Sequence, residues 1–503
     1  MVFNEIVSAN TNQINAQSVA SEWEATYQIQ TIDVFQSALN GLFIKANDTQ
    51  IAAIEKDPRV EYITANYAVQ QAKTEMGSPI HTATSGQPST EFSMTTDSWA
   101  KDQVDQRNFT LNGTYNWALN ASNVHVYVIG SGIKASLAEF AGRVSGGTTF
   151  VNDGRGTDDC GIGVGTAEAS LIGGNTKGIA RPQLHPVRIF DCNGSSSMGK
   201  VVSAMNWVAN NDGAELETVY LGLTHFDYNL GDPIWGFDYG PAKSAVNNLT
   251  NRNIMVVGAA GDAGFELDSF FCSYSFPANA SNAFVVGGVT DSGTLQSNSN
   301  YGACVDLYAP GSEVSVIGLN GQTIPATGTY FPAALTSGTV ALFLAANPQA
   351  TPAQARKRLI ETSTRNLVGG VSNGLSDRLL FAPLDAPASL ASNGTYMPTN
   401  ISVNRNCAGN TYTWNRPAGA PSGTNYIYTI STSPVASFGS GVITLPSFNS
   451  SLSVVSKLVE VTSTRYVRVV ARRNATGFTD SYPLTSDDVA TFVDCDQEPP
   501  QLP

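Results

Sequence analysis

The chain has 503 residues, of which 42% are hydrophobic and 14% charged, and its net charge is −14. This length exceeds one ordinary core, so we expect several domains, and the apolar content is enough to offset the entropy of ordering. The acidic balance, without a cluster of Lys and Arg, argues against a nucleic-acid partner. The sequence has no run of about 18 apolar residues, so we expect no membrane span.

The N-terminal part predicts a small α+β unit followed by a linker. Residues 35–44 and 51–63 show the pattern of a strand, a helix and a strand. The stretch 70–97 is rich in Ser, Thr, Gly and Pro without periodicity, which is typical of a linker. Residues 1–15 lack an apolar run of the length of a signal peptide, and we expect that a leader precedes this sequence.

The central part alternates strand and helix patterns. Short apolar runs predict buried parallel strands at 124–129, 187–190, 218–223, 254–258 and 284–289. Segments with helical spacing occur at 198–209, 241–250, 331–345 and 352–362. This order predicts a doubly wound α/β domain with a mostly parallel sheet, in which ligands bind at the carboxyl ends of the strands.

The C-terminal part has a different character, which begins after a linker at 386–398. Four runs alternate apolar and polar residues between turns, at 411–414, 426–430, 452–455 and 465–471. This pattern predicts an all-β sandwich, and it resembles a fibronectin type III module. We expect the tail 497–503 to be disordered.

Cysteines and glycosylation sequons favour a secreted glycoprotein. The six cysteines are even in number, which suits disulfides, although buried free thiols are the other interpretation. The sequence contains no Cys-x-x-Cys motif and no cluster of histidines, so we expect no metal site of this kind. Acceptor sequons point to the same compartment and begin at Asn47, Asn108, Asn112, Asn120, Asn193, Asn248, Asn279, Asn393, Asn400, Asn449 and Asn474.

Four segments resemble the catalytic segments of subtilisin-type serine proteases, in the chain order of that family. They are 126–133, 164–169, 256–262 and 328–342. In each, another residue stands where the family has its functional one. Gly130 replaces the aspartate, Val164 the histidine, Tyr330 the serine and Asp262 the asparagine of the oxyanion hole.

The resemblance covers roughly residues 24–385. Segments 153–160, 187–192 and 299–311 are most similar to the proteinase K-like branch of the peptidase S8 family. The N-terminal unit resembles an inhibitor I9-type propeptide, which in the family lies through the active site in cis until it is cleaved. The implied division is a leader remnant 1–23, a propeptide 24–75, a linker 76–95, a subtilisin-like domain 96–385, a linker 386–398, a sandwich 399–496 and a tail 497–503.

The four replacements predict that the chain is not an enzyme. Serine attack on a carbonyl needs a base, a group that orients the base, and donors for the oxyanion. The first hypothesis is therefore a secreted pseudoprotease that binds a peptide or an unknown protein partner. The alternative is a serine-type endopeptidase of the subtilisin family with a rearranged active site.

Two further residues enter through the related sedolisin family, which uses a Ser-Glu-Asp triad. Glu168 lies four residues after Val164, and Asp262 matches the sedolisin aspartate at the oxyanion position. That family also needs a carboxylate at position 164 and a serine at position 330, so the favoured interpretation is two carboxylates beside a disused site. His225 follows the presumed substrate strand, and we interpret it as a loop histidine.

The resemblance also implies ligand contacts and a metal. Gly222, Leu223 and Thr224 stand where the family binds the substrate backbone. Asp306, with the backbone carbonyl of Pro277, matches a structural calcium site of proteinase K relatives. A structural carboxylate at a turn is the other interpretation of Asp306.

The family pattern finally implies a set of disulfides. The pairs are Cys160 with Cys192 and Cys272 with Cys304, which leaves Cys407 with Cys495 by elimination.

Overall fold

The structure is a computed structural model. It describes residues 3–9, 15–71, 75–78, 93–116, 120–211, 213, 216–226, 239–267, 272, 275–371 and 377–382, and eight strands between residues 399 and 485. The chain divides into two compact units, of which the first contains residues 1–371 and 377–385 and the second contains the C-terminal part. Among the described residues, no helix is both long and apolar enough to cross a membrane.

The N-terminal part of the first unit is a four-stranded antiparallel sheet with two helices, in the order β2-β3-β1-β4. Asn15 caps the first helix, and Asn47 with Gln50 forms a capping box at the second. The predicted leader remnant 1–23 thus includes a strand of this sheet and most of a helix. The elements are β1 (Phe3–Ala9), α1 (Ala16–Tyr27), β2 (Gln30–Phe35), β3 (Gly41–Ala46), α2 (Asp48–Ile54) and β4 (Val60–Ala65).

Short strands and a helix follow before the central sheet. They are β5 (Ala68–Gln70), β6 (Glu75–Met76), β7 (Ser93–Thr95), α3 (Trp99–Gln103) and β8 (Thr114–Asn116). Ser98 caps α3 by accepting a hydrogen bond from the Lys101 backbone N–H.

The core of the first unit is a seven-stranded parallel sheet, in the order β10-β11-β9-β13-β15-β18-β20. Its central strands are buried along almost their whole length, as continuous apolar runs predict for a sheet covered on both faces. The strands are β9 (Val124–Gly130), β10 (Thr148–Thr149), β11 (Gln183–Arg188), β13 (Leu216–Leu221), β15 (Met255–Ala259), β18 (Ala283–Val289) and β20 (Leu307–Pro310). The predicted doubly wound α/β class is confirmed.

Helices cover both faces of this sheet. They are α4 (Val164–Gly173), α5 (Met198–Asn210), α6 (Gly240–Asn251), α7 (Tyr330–Ala346) and α8 (Pro352–Thr362). The apolar helix α7 is buried from Tyr330 to Leu344 and packs with α4 on one face, whereas α5 and α6 pack on the other. The remaining strands are β12 (Ser195–Ser197), β14 (His225–Phe226), β16 (Glu266–Leu267), β17 (Ser275–Phe276), β19 (Tyr301–Gly302), β21 (Val314–Ile317) and β22 (Thr323–Thr327).

The N-terminal sheet is fixed to α5 and α6. The Asn206 side-chain oxygen accepts hydrogen bonds from the backbone N–H groups of Gln36, Ser37 and Ala38, at 3.2, 3.1 and 3.2 Å. Asn248 donates to the Ala38 carbonyl at 2.6 Å. The backbone N–H groups of the loop between β2 and β3 thus donate their hydrogen bonds to a helix side chain. The N-terminal sheet and the two helices therefore form one body.

Two of the three predicted disulfides are confirmed, Cys160–Cys192 and Cys272–Cys304. Cys407 and Cys495 lie outside the described residues.

The second unit contains antiparallel strands, as the alternating pattern predicts. They are β23 (Thr399–Asn406), β24 (Gly409–Asn415), β25 (Tyr426–Ser433), β26 (Ile443–Thr444), β27 (Phe448–Ser450), β28 (Val454–Val459), β29 (Tyr466–Arg473) and β30 (Leu484–Thr485).

Candidate active site

The residues singled out by the motifs lie at the carboxyl ends of the parallel strands and at the starts of two helices. Gly130 ends β9, and Asp262 follows β15 by three residues. Val164 begins α4 and Tyr330 begins α7. Carboxyl ends of neighbouring parallel strands meet at one edge of a sheet, where helix starts also converge. The topology therefore gathers all four positions.

Tyr330 is a fully buried phenol. Its hydroxyl lies 2.9 Å from the Thr224 hydroxyl, and its backbone carbonyl accepts a hydrogen bond from the Tyr220 hydroxyl at 3.3 Å. Burial first, and then the nearby Asp262 carboxylate, raise the pKa of Tyr330 far above its usual value. Tyr330 therefore stays protonated near neutral pH and offers a hydrogen bond rather than a nucleophile.

Asp262 is a half-buried carboxyl with one engaged oxygen. Its Oδ1 accepts a hydrogen bond from the Thr329 backbone N–H at 2.8 Å, and its Oδ2 has no partner among the described residues. Burial raises the pKa of Asp262 to about 6, against the opposing effect of the Thr329 hydrogen bonds. A carboxyl with this pKa exchanges protons readily near neutral pH, which is what a general base requires.

Glu168 is a completely buried carboxyl on α4. Neither oxygen has a close hydrogen-bond partner among the described residues, although the Tyr220 hydroxyl lies nearby and favours the charged form. Burial first, and then the charge of Asp159, raise the pKa of Glu168 well above its usual value. Burial therefore favours the neutral form of the Glu168 carboxyl.

Two glycines make room for the Glu168 side chain. A Cβ atom on Gly130 would lie 3.5 Å from Glu168 Oε2, and a Cβ on Gly222 would lie 2.9 Å from the same atom. The Glu168 carboxyl thus lies beside the end of β9, in the region that a side chain at position 130 would enter. The sequence indicates Glu168 as a candidate but does not place it there, because the approach depends on Gly130 at the end of β9 and Gly222 just after β13.

Val164 contributes no titratable group. It is fully buried at the first position of α4, after Gly163 in the left-handed region at φ 77°. Ser131 supplies the polar contact at this end of α4, because its hydroxyl accepts a hydrogen bond from the Gly165 backbone N–H at 2.9 Å.

Of the three predicted substrate-binding residues, only Thr224 has a hydroxyl at the site. Gly222 donates its backbone N–H to the Ile129 carbonyl at 2.8 Å, and Leu223 is fully buried. Thr224 is half-buried and meets Tyr330. The backbone of His225 pairs with Phe276, and its side chain lies outside the described part of the structure.

The residues predicted to hold calcium do not fit that ion. Asp306 Oδ1 lies 2.5 Å from the Arg356 guanidinium, and Oδ2 accepts a hydrogen bond from the Val285 backbone N–H at 2.8 Å. The Pro277 carbonyl accepts a hydrogen bond from Ala280 at 2.9 Å. A divalent cation at Asp306 would meet the positive charge of Arg356, so the calcium site stays a prediction that this geometry does not favour.

The described parts of segment 66–77, which we call the crossing segment, pair with two strands, one of which leads into the site. β5 pairs antiparallel with β12, and β6 pairs antiparallel with β22, the strand that leads into Tyr330. Residues 72–74 lie outside the described residues. Because five residue steps separate Gln70 from Glu75, the two contacts are at most about 17 Å apart. The sequence predicted a propeptide up to residue 75 and a linker after it, since neither strand is long enough to show periodicity.

This fold and this arrangement define a subtilisin-like α/β protein. Residues 121–378 match the family described as the subtilase family, peptidase S8. The chain is 33% identical over 353 residues to the extracellular serine proteinase of Thermus sp. (strain Rt41A), which covers 70% of this chain and 77% of that protein. The chain belongs to the subtilase family.

Two further similarities agree with this membership. The alkaline serine exoprotease A of Vibrio alginolyticus is 29% identical over 381 residues, which covers 75% of this chain and 65% of that protein. The crystal structure of a cold adapted subtilisin-like serine proteinase matches with a TM-score of 0.51 at 30% identity. The match covers 56% of this chain and 97% of the proteinase chain.

The comparisons contradict the expectation that the chain is not an enzyme. Relatives that match it over 70% and 75% of its length are named as a serine proteinase and a serine exoprotease. The expectation was based on four single positions, Gly130, Val164, Tyr330 and Asp262, whereas the match extends over most of the first unit. The assignment as a non-enzyme is therefore wrong by this comparison, and the alternative from the sequence is the better supported one.

Proposed function

We propose that the chain is a secreted endopeptidase of the subtilase family with a rearranged active site. The observation that carries the proposal is the Asp262 carboxyl, whose pKa is about 6 and whose Oδ2 is buried without a hydrogen-bond partner among the described residues, next to the buried Tyr330 phenol. The names of the relatives support proteolysis, and the two disulfides support secretion.

In this proposal the nucleophile is a water molecule. Asp262, ionised, accepts a proton from water as the water oxygen attacks the peptide carbonyl carbon. The half-buried Thr224 hydroxyl donates a hydrogen bond to the oxygen of the tetrahedral intermediate, and the buried Tyr330 hydroxyl, 2.9 Å away, donates to Thr224 and so strengthens this bond. Protonated Asp262 then gives the proton to the amine as the carbon–nitrogen bond breaks, so Asp262 ends in its starting form.

The crossing segment supports an extended peptide as the substrate class. The chain's own backbone lies as a strand against β12 and against β22. A main chain that pairs in this way is recognised by its peptide groups, independently of most side chains. The same segment competes with added substrate, so activity requires that it be cut or displaced.

The test is hydrolysis of casein and of fluorogenic peptides, before and after the segment is cut at a protease recognition sequence that replaces residues 72–74. Asp262→Asn keeps an acceptor for the Thr329 N–H but removes the base, so we expect loss of turnover. Tyr330→Phe should reduce the rate by about 10²–10³ if the phenol stabilises the oxyanion.

A fluorophosphonate probe distinguishes the nucleophile, because a water mechanism leaves the protein unlabelled. Turnover that equals the Asp262→Asn background in both the intact and the cut protein would contradict the proposal.

A further inference from the structure

Two histidines meet toward the amino-terminal end of the parallel sheet. His125 lies in β9 and His185 in β11, and His125 Nδ1 is 2.7 Å from His185 Nε2. The two rings are nearly parallel, with their centroids 4.9 Å apart and an angle of 6° between their planes. Both side chains are half-buried, so an ion from solution can reach them. The sequence does not indicate this pair, because 60 residues separate its two members.

The hydrogen bonds around the pair indicate which ring nitrogens carry a proton. His185 Nδ1 lies 2.6 Å from the Ser145 carbonyl oxygen, which can only accept a hydrogen bond, so we assign the proton to Nδ1. In the neutral ring Nε2 is then the acceptor, and it faces His125 Nδ1. A metal-binding histidine is oriented in the same way, because its second nitrogen donates to a carbonyl or carboxylate oxygen.

A buried carboxyl lies level with the pair on the next strand. Glu217 in β13 is in register with His125 in β9, and it is 5% exposed. Its Oε1 accepts hydrogen bonds from the Tyr127 hydroxyl and the Gly213 backbone N–H, both at 3.3 Å. Since side chains that are level on neighbouring strands lie on the same face, the negative charge of Glu217 favours a cation at the histidines.

The pair is remote from the proposed active site. His125 precedes Gly130, the last residue of β9, by five positions. At about 3.3 Å per residue along a strand, this separation amounts to about 16 Å. A ligand at the histidines therefore does not touch the groups of the active site, and its binding can be measured without turnover.

We propose that His125 and His185 together bind one divalent transition-metal ion of the class of zinc, copper and nickel, for which imidazole nitrogen is a suitable ligand. Water completes the coordination. Two nitrogens on one tetrahedral zinc ion lie about 3.3 Å apart, so the two rings must separate by about 0.6 Å. The ion takes the place of the proton between the rings. His125 binds it through Nδ1 while that proton moves to Nε2 of the same ring, so both rings stay neutral.

Titration calorimetry of zinc chloride into the untagged full chain, freed of metal by a chelator, tests the site. His125→Asn keeps a donor for His185 Nε2, and His185→Asn keeps a donor for the Ser145 carbonyl, so each variant removes an imidazole and keeps a hydrogen bond. We expect each variant to bind zinc at least ~10-fold more weakly than wild type, since loss of an outer partner alone costs this much.

His81→Asn is the matched control, because it removes a histidine that is not part of the pair. This variant should bind zinc as wild type does. Zinc binding that is unchanged in either His125→Asn or His185→Asn would overturn the proposal. So would a wild-type protein that binds no zinc at millimolar concentration.

Copper gives a readout that needs no variant, and it decides the question if the variants fail to fold by circular dichroism. Electron paramagnetic resonance of wild type with one equivalent of Cu²⁺ should show coupling to two imidazole nitrogens, because copper binds such ligands more tightly than zinc does. Coupling to fewer than two nitrogens would contradict the site. A lack of peptide hydrolysis contradicts only the proposed function.

Discussion

At the scale of single residues, the site depends on carboxyls that burial keeps easily protonated. Asp262 Oδ2 and both carboxyl oxygens of Glu168 are buried and have no hydrogen-bond partner among the described residues. Two carboxyls held in this way give the folded protein an affinity for protons that the unfolded chain lacks. Their effect is therefore visible in stability as well as in activity.

We expect the stability cost of Asp262 to depend on pH. Its pKa is about 6 in the folded protein, against about 4 for an unfolded aspartate. Since the folded state binds the proton more tightly, the Asp262 contribution is present below pH 4 and is lost as the pH rises through 6. Relative to wild type, Asp262→Asn should thus gain about 1–3 kcal/mol in the free energy of unfolding between pH 4 and pH 8.

Urea unfolding of the two proteins at pH 4, 6 and 8 measures this difference, and other titrating groups cancel in the comparison. A difference that is the same at all three pH values would refute the assigned environment of Asp262.

Gly222→Ala should destabilise the protein by about 1–3 kcal/mol. The new Cβ atom would lie 2.9 Å both from Glu168 Oε2 and from the Ile129 carbonyl oxygen, which is fixed by its hydrogen bond to the Gly222 N–H. Gly213→Ala is the control, and the midpoints of urea unfolding are compared. Equal midpoints for the two variants would show that the backbone after β13 can shift enough to accommodate the new methyl group.

At the scale of elements, the Asn206 side chain makes several of the hydrogen bonds between the N-terminal sheet and α5. The Asn206 oxygen accepts three backbone N–H groups, and its amide donates to the Val34 carbonyl at 3.5 Å. Without this oxygen, three donors near the interface lose their partner, and each such loss is unfavourable.

Asn206→Ala should therefore weaken the docking of the N-terminal sheet by about 1–3 kcal/mol. Limited proteolysis measures the release of the sheet, and Asn251→Ala, at an exposed position of α6, serves as the control. A cleavage rate of the sheet that is equal in both variants would argue that other contacts carry the interface.

The bond Cys160–Cys192 ties the segment before α4 to the segment before β12. It closes a loop with a sequence separation of 32 residues, and replacing both cysteines by serine should cost about 2–5 kcal/mol. The Arg188 guanidinium lies 3.2 Å from Cys160 Sγ and also forms a salt bridge with Asp153. This salt bridge remains when the disulfide is removed. Chemical unfolding of the double variant measures the loss in the free energy of unfolding. An unchanged free energy of unfolding would mean that the Arg188–Asp153 salt bridge holds the loop without the disulfide.

Sequence patterns predicted some elements well because their signals are local. α8 has the predicted bounds 352–362, since Thr351, Pro352 and Gln354 form a visible helix start. β6 was not predicted and falls on the boundary between the predicted propeptide and linker, because it pairs with β22, about 250 residues away. Likewise the motifs indicated which positions form the site, but not that Glu168 lies beside Gly130, because that approach depends on packing between a helix and two strands.

At the scale of the whole molecule, the two compact units should unfold separately. Among the residues that the structure describes, those of the core clusters around the parallel sheet all belong to the first unit. A fragment of residues 1–385 should therefore fold and melt at the temperature of one transition of the full chain. Calorimetry of both proteins measures this, and a fragment that melts several degrees lower would show that the second unit stabilises the first.

The position of Glu168 has a consequence for how this sequence can change over time. An aspartate introduced at position 130 would carry a second carboxyl toward Glu168, whose Oε2 already lies 3.5 Å from the place of the new Cβ. Two acids so close in a buried place cannot both ionise without a large penalty. A lineage that acquires an acid at the end of β9 while it keeps Glu168 would therefore hold two carboxyls that share a single negative charge, and only loss of the acid on α4 would free the new one to ionise independently.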